Sequence, residues 1–342
     1  MNQRIGYRDA VRRQVESLSD VYATVSKGLE ALDLSPFRGK SIGFAGIGAS
    51  NQAALAGASY LRDRGIASYA YCPTELYAAI DTAAEAFVAL SASGQSREIA
   101  DVISRRTHLP AIALCRSPDT PLAHLTRMQL PFNSGSDNGA SSTGYTGMLV
   151  AIGMLADKLA GKDDSTEWRT LPDLVARVLD ETADDALRAA DLLANRASID
   201  IVGAGVAYAT AGEAAMLIRE AIRVPAAGWD TLNYLHGPME SQDSRTGLIA
   251  LGNGREIKIA ADVAGFGCPS VLVTSRGDVP KRDNLAVLRV PAAGNEIVSA
   301  VLDIIAVQMM VADMQDAAAL TNITFRYRQT DTKLKPWSPT EV

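Results

Sequence analysis

Three serines stand together in Leu90-Ser-Ala-Ser-Gly-Gln-Ser96, directly after an apolar run. Where a strand enters such a Ser/Gly loop and a helix follows, free backbone N–H groups open the helix and hydroxyls add short, rotatable donors. That combination suits an anion, and a phosphate above all. The plainer alternative is that Ser96 caps the helix while Ser91 and Ser93 fill a turn. A second small-residue run, Asn133-Ser-Gly-Ser-Asp-Asn-Gly-Ala-Ser-Ser-Thr143, leads into an apolar helical stretch. It is either a connector or a segment that closes over a ligand. Two further residues are suited to moving protons. Glu220 sits in Arg219-Glu-Ala-Ile-Arg223, and His236 in a turn fixed by Gly237-Pro238. A desolvated carboxylate acts as a base near neutral pH, and an imidazole exchanges protons there. Glu220 also reads as an ion pair with Arg223 at i, i+3 on a helix face. His108 and His124 read as solvated residues.

These residues need rigid elements to hold them, and the chain supplies a repeat. Ser41-Ile-Gly-Phe-Ala-Gly-Ile-Gly-Ala-Ser50 is echoed by Ser198-Ile-Asp-Ile-Val-Gly-Ala-Gly-Val-Ala207. In each copy a short apolar run ends in Gly-x-Gly before a helical pattern. Apolar runs predict strands at 41–45, 67–71, 86–90, 111–115 and 128–131, with helices near 50–63, 96–106 and 141–160. The second copy predicts strands at 199–202, 247–251, 270–274 and 286–290, with helices at 207–222, 255–265 and 295–315. Alternation of this kind indicates an α/β protein with parallel sheets covered on both faces. The expected organisation is an N-terminal helix (1–34, periodic over 7–32), a first domain (35–165), a bridging helix (166–196), a second domain (197–319) and a polar, basic tail (320–342). The copies differ where it matters. Ala89-Leu-Ser-Ala-Ser-Gly-Gln-Ser-Arg-Glu-Ile99 keeps its serines, whereas Ala250-Leu-Gly-Asn-Gly-Arg-Glu-Ile257 has lost all three.

Composition narrows the function. The chain has 342 residues, 33 Lys and Arg against 39 Asp and Glu, and a net charge of −6. This argues against nucleic acid or an anionic membrane surface as partner. Cys72, Cys115 and Cys268 lie far apart and show no metal-ligand spacing, so neither a metal nor a disulfide framework is expected. The absence of an apolar leader or a long uninterrupted apolar run leads to the expectation of a cytoplasmic protein that spans no membrane.

Taken together, the Gly-x-Gly repeat, Gly48-Ala-Ser50, the serine loop 90–96, Gly135-Ser-Asp-Asn-Gly-Ala-Ser-Ser-Thr143, and Glu220 followed by His236-Gly-Pro238 resemble the double sugar-isomerase (SIS) domain family over about residues 10–335. The layout is similar to the isomerase half of glucosamine-6-phosphate synthase, to SIS-type aminosugar-phosphate deaminases and to fructosamine-6-phosphate deglycases. The resemblance implies two flavodoxin-like αβα sandwiches with parallel sheets in tandem. It implies that Ser91, Ser93 and Ser96 bind a sugar phosphate, and that Ser50, Ala140, Ser141 and Ser142 line the sugar. Glu220 then resembles the base that moves a proton between C1 and C2. His236 resembles the ring-opening residue, donated across a homodimer with a shared active site. Lys333 or Lys335 resembles the C-terminal lysine that forms a Schiff base in the synthase.

Three departures qualify this picture. Leu217 stands where the synthase has a lysine, Ala92 where it has a glutamine, and the tail Arg326-Tyr-Arg-Gln-Thr-Asp-Thr-Lys333 departs from the usual pattern. With about 35 residues before the first strand, no glutaminase domain is expected, and so no glutamine-dependent synthase. The expected activity is that of a phosphosugar aldose–ketose isomerase or a glucosamine- or galactosamine-6-phosphate deaminase without cofactor. The alternatives are a fructosamine-6-phosphate deglycase and a non-catalytic sugar-phosphate sensor. The sensor is disfavoured by the retained Glu220 and His236, and by no helix-turn-helix pattern ahead of the first domain.

Overall fold

The computed structural model describes residues 5–162, 165–320, 325–327 and 331–334. Lys335 and Arg328 of the tail lie outside the described residues. The chain forms two compact units. One comprises Glu16–Gly135, Thr143–Arg169 and Phe325–Val342; the other comprises Met1–Val15, Ser136–Ser142 and Thr170–Thr324.

The first unit holds β1 (Ile42–Ala45), β2 (Ser68–Tyr71), β3 (Ala86–Leu90), β4 (Ala111–Cys115) and β5 (Met128–Pro131). They form one parallel sheet in the order β2-β1-β3-β4-β5. The second unit holds β6 (Ile199–Gly203), β7 (Ala226–Asp230), β8 (Gly247–Leu251), β9 (Ser270–Thr274) and β10 (Leu285–Arg289). Its parallel sheet has the order β10-β9-β8-β6-β7, the same winding read from the other edge. This 2-1-3-4-5 order is the flavodoxin-like one, whose ligand crevice opens at the carboxyl ends of the strands where the order reverses. In the two sheets those switch points lie between β1 and β3 and between β6 and β8. Every residue of β1, β3, β8 and β9 is buried, as strands covered on both faces must be.

Sequence and structure differ in three places. β7 was not expected, because Ala226-Ala-Gly-Trp-Asp230 lacks a β-branched run and is a half-buried edge strand. The N-terminal helix is broken at Arg13 into Tyr7–Arg12 and Gln14–Ala31. The bridging helix is two helices, Ser165–Glu181 and Ala183–Leu193. Between them Thr182 is buried and donates its hydroxyl to the Arg289 carbonyl at 3.0 Å. The long helix Glu296–Ala317 has a mean hydropathy of 1.9 over an 18-residue window, enough by length and composition to cross a membrane. That window is 89% buried inside the structure, as in the central helix of a globular core.

The two Gly-x-Gly turns work identically. Gly48 (φ 61°) and Gly205 (φ 58°) adopt the left-handed backbone that lets the helices Ala49–Arg62 and Val206–Leu217 start at once. The preceding glycines let the helix pack close to the strand. A Cβ on Gly46 would lie 2.4 Å from the Ser50 carbonyl oxygen, and one on Gly203 would lie 2.5 Å from that of Ala207. Because the obstacle is backbone, no rotamer change relieves it. Gly46→Ala and Gly203→Ala are each expected to lower stability by about 1–3 kcal/mol in urea unfolding. Unchanged midpoints for both would refute the close-packing role.

Candidate active site

In the first unit the serine loop follows β3 and stands beside the Gly-x-Gly turn of the neighbouring β1. Ser91 is buried, and its hydroxyl lies 3.1 Å from that of Ser96. Ser93 is exposed and its Oγ accepts from the Gln95 N–H at 3.3 Å. Gly94 (φ 63°) turns the loop tightly against Thr120, where a Cβ would come within 2.2 Å. Ser96 precedes the helix Arg97–Ser104 but makes no side-chain cap. Its hydroxyl faces Ser91 instead, so the capping alternative does not describe this loop.

The tail reaches the same place. Arg97 N–H donates to the Thr332 carbonyl at 3.2 Å and Leu334 N–H to the Gln95 carbonyl at 2.8 Å. This backbone pairing brings the Lys333 ammonium to 3.4 Å from Ser96 Oγ. Lys333 keeps contact with solvent, yet the water lost around it lowers its pKa, against the opposing pull of Glu98. Ser50, buried in the first turn of Ala49–Arg62, belongs to this group by its place at the end of β1. Ser50, Ser91, Ser93, Ser96 and Lys333 therefore gather at one switch point. A cavity of about 850 Å³ in this unit lies elsewhere, at the amino ends of the strands, lined by Ser41, Glu85, Arg64 and Lys158. The α-helices Gln14–Ala31, Ala49–Arg62 and Thr143–Leu159 end beside it.

The equivalent loop of the second unit is already filled. Glu256 is buried; one of its carboxylate oxygens accepts from the Gly254 N–H at 3.2 Å and the other from Thr231 Oγ1 at 2.6 Å. A carboxylate of the chain itself thus satisfies the donors that a phosphate would use.

The second unit gathers acids. The helix Val206–Leu217 widens into a π-helical turn, Ile218–Ile222, which ends at Arg223 with φ 60°. Glu220 lies on that turn, half-buried. Burial raises its carboxyl to about 7, against the lowering effect of Arg219. Two helical turns earlier comes Glu213, 1% exposed, with one carboxyl oxygen lacking a hydrogen-bond partner. Burial, and then the charges of Glu220 and Asp137, hold it well above the ordinary carboxyl range.

Asp137 belongs to the segment Ser136–Ser142. One of its oxygens accepts from Ser142 N–H (3.0 Å), Ser142 Oγ (2.7 Å) and Asn138 N–H (2.8 Å), and the other from Ser141 Oγ (3.3 Å). Ala140 is buried beside them, its N–H donating to Asn138 Oδ1 at 3.3 Å. The structure thus places Ala140, Ser141 and Ser142 in the same unit as Glu220. His236 is exposed in the turn after Thr231–Tyr234, ahead of Gly237 (φ 146°). Its ring has no hydrogen-bond partner among the described residues. His124 pairs with Asp119 at 3.0 Å on the surface, and His108 lies against Arg106.

Glu213, Asp137 and Tyr7 were not singled out from the sequence. Glu213 was detectable as the lone acid in the small, apolar run Val206–Leu217, two turns from Glu220. Asp137 and Tyr7 join it only through folding. No group of three His, Cys, Asp or Glu among the described residues is arranged to hold a metal ion.

No protein-family model matches the chain. Its sequence is 25% identical over 237 residues to a glutamine–fructose-6-phosphate aminotransferase (isomerizing) of Buchnera aphidicola, spanning 63% of this chain and 38% of that enzyme. Its fold is similar to the C-terminal domain of the glucosamine-fructose-6-phosphate aminotransferase of Francisella tularensis (TM-score 0.81, 18% identity, 93% and 97% of the two chains). It is also similar to a tagatose-6-phosphate ketose/aldose isomerase of Escherichia coli (0.77, 16%, 93% of each chain). A glucosamine-6-phosphate deaminase of Thermotoga maritima is similar as well (0.72, 19%, 91% and 94%). The two parallel sheets of one winding match the double sugar-isomerase (SIS) fold of these structures, and the sequence is similar to the isomerase part of the isomerizing aminotransferases, of whose length the chain spans less than half.

Proposed function

We propose that the chain is a phosphosugar isomerase-type enzyme, and specifically an aminosugar-phosphate deaminase. The observation that carries this reading is Glu220: a half-buried carboxyl raised to about 7, on the second copy's first helix. A base for a proton next to a carbonyl must be ionised yet poorly solvated, and this one titrates where it is needed. Ser91, Ser93 and Ser96, with the Lys333 ammonium against Ser96, take the phosphate. Ser50 and Ala140–Ser142 line the sugar. His236 opens the ring, supplied from the neighbouring chain of a homodimer. Its exposed ring without an intrachain partner supports that assignment. The phosphate grip supplies binding energy remote from C1 and C2 that orients them.

In the open-chain 2-amino-2-deoxyhexose 6-phosphate, the Glu220 carboxylate removes the C2 proton. The C2–H electron pair forms the C1=C2 bond and the carbonyl oxygen takes a proton. Glu220 then returns its proton to C1, leaving an imine at C2. Water adds there and ammonia leaves, giving the ketose phosphate. The resemblance to deaminases and the leucine at 217, in place of the lysine of the synthase, support release of ammonia over its capture.

Glu220 works as a carboxylate, so activity is lost as pH falls through about 7. A profile of kcat against pH is expected to show an acid limb centred there, falling about tenfold per unit below it. Glu220→Gln is expected to abolish ammonia release from glucosamine or galactosamine 6-phosphate while leaving their binding intact. Unchanged turnover would remove Glu220 as the base. Ser93→Ala with Ser96→Ala is expected to weaken sugar-phosphate affinity at least about tenfold, equivalent to about 1.4 kcal/mol; equal affinity would sink the loop assignment. Mixing Glu220→Gln with His236→Ala protomers is expected to restore activity that neither has alone. Failure of exchanged mixtures to recover it would rule out a shared site.

A further inference from the structure

The exposed His236 ring makes no hydrogen bond among the described residues, so its place is set by the backbone segment that carries it. That segment, 231–242, is held at both ends within the second unit. At the near end Thr231 is buried at the start of the one-turn helix Thr231–Tyr234, and its hydroxyl donates to Glu256 at 2.6 Å. The Asp230 carboxylate caps the same turn, accepting from the Leu232 and Asn233 N–H groups, each at 3.1 Å. The turn then fixes the histidine backbone, since His236 N–H donates to the Asn233 carbonyl at 3.1 Å. Tyr234, two residues before the histidine, is fully buried in a core cluster with Val202, Leu248 and Ile259. At the far end the Gln242 amide donates to Asp200 of β6 at 2.7 Å and accepts from the Thr246 hydroxyl at 3.1 Å.

Glu256 is itself held firmly. It is the second residue of the helix Arg255–Gly265 and is buried, and its other oxygen accepts from Gly254 N–H at 3.2 Å. Gly252 (φ 146°) leaves room for that oxygen, because a Cβ there would lie 2.8 Å from it. A carboxylate suits the first turn of a helix, and hydrogen bonds to charged acceptors are the stronger ones. The loop after β8 therefore fixes the carboxylate, and the carboxylate fixes Thr231.

We propose that Glu256 is the positioning residue for His236: through Thr231 it ties the turn that presents the imidazole to the loop after β8. The proposal rests on the reading of His236 as the ring-opening group supplied to a neighbouring chain. A side chain that acts outside its own unit must be aimed by that unit, and a misplacement of about 1 Å in such a group costs on the order of a hundredfold in rate. Glu256 acts through the Thr231 hydroxyl and the backbone of the turn, and it makes no hydrogen bond to the imidazole. Release of the near end leaves the bond between Gln242 and Asp200 in place, so the loss is local to the turn.

Thr231→Val keeps the shape of the side chain and removes the hydroxyl that Glu256 holds, whereas Thr231→Ser keeps the hydroxyl. In the full chain, amide hydrogen exchange over 231–237 is expected to quicken at least about tenfold in Thr231→Val, the scale of one hydrogen bond to a charged acceptor. Thr231→Ser is expected to exchange as the wild type does. Glu256→Ala releases the same turn from the other side, and adding Thr231→Val to it is expected to change nothing further at 231–237. Turnover supplies a readout that loosening alone does not move. In Thr231→Val, kcat on the cyclic aminosugar phosphate is expected to fall at least about tenfold. Affinity for the open-chain 2-amino-2-deoxyglucitol 6-phosphate, which has no ring to open, is expected to stay the same, and Thr231→Ser is expected to restore kcat. Unchanged exchange at 231–237 overturns the proposal, whether or not the chain acts on aminosugars. Additive effects of the two substitutions overturn the link through Thr231, and faster exchange with an unchanged kcat overturns the positioning of His236. Faster, non-additive exchange in a chain that releases no ammonia supports the hold of Glu256 on the turn while refuting the deaminase reading.

Discussion

The second unit is organised by the cost of keeping carboxyls out of water. Moving the Glu220 carboxyl from 4.5 to about 7 corresponds to about 3 kcal/mol at 1.36 kcal/mol per unit, an upper figure for a half-buried group. Burial also raises the carboxyl of Glu213, and the charges of Glu220 and Asp137 add to it. The sign is unfavourable for stability: the folded chain holds these protons more tightly than the unfolded chain. Stability therefore falls as pH rises from the ordinary carboxyl range through about 7. A fold keeps such a feature only where surrounding structure over-determines it. Here that structure is the buried helix Glu296–Ala317, the N-terminal helix held to it by Arg8, and the segment closed by Asp137.

The same physics, with the sign reversed, separates the two copies. Both switch points offer free N–H groups and both sheets have one winding. In the first unit hydroxyls fill the loop, and Glu98 stands at the position that matches Glu256. In the second, Glu256 turns its carboxylate back onto the Gly254 N–H and the Thr231 hydroxyl. In the second unit the donors of the loop are taken by an anion built into the chain. The absence of the three serines and the capture of the loop by Glu256 go together at this position.

Much of this could be read before folding. Nine of the ten strands follow from apolar runs, most plainly the central ones such as Ala86–Leu90 and Ser270–Thr274, which are buried on both faces and have no polar face to obscure them. β7 escaped because its residues, Ala, Ala, Gly, Trp and Asp, form neither an apolar run nor a periodic pattern. The serine loop was legible because its donors are contiguous. The acid cluster was not, since Tyr7, Asp137, Glu213 and Glu220 are brought together only by the packing of segments from three parts of the chain. Ser96 was legible in place but not in use, because a cap and a ligand loop share one local sequence and differ only in where the hydroxyl turns.

One local feature explains why two glutamates on one helix behave differently. In a regular α-helix, residues seven apart drift by only about 20° and share a face. Glu213 and Glu220 would then both be buried, and the second would be as hard to ionise as the first. The π-helical turn Ile218–Ile222 adds width between them and rotates the residues beyond it, so that Glu220 emerges half-buried while Glu213 stays inside. The left-handed Arg223 ends the turn at once, before Val224 and Pro225 lead the chain into β7. Such wide turns are rare in helices and recur where a side chain must be re-aimed. Under the proposed reading of Glu220 as the base, a deeper carboxyl would be harder to ionise near neutrality and a fully hydrated one would be a weaker base.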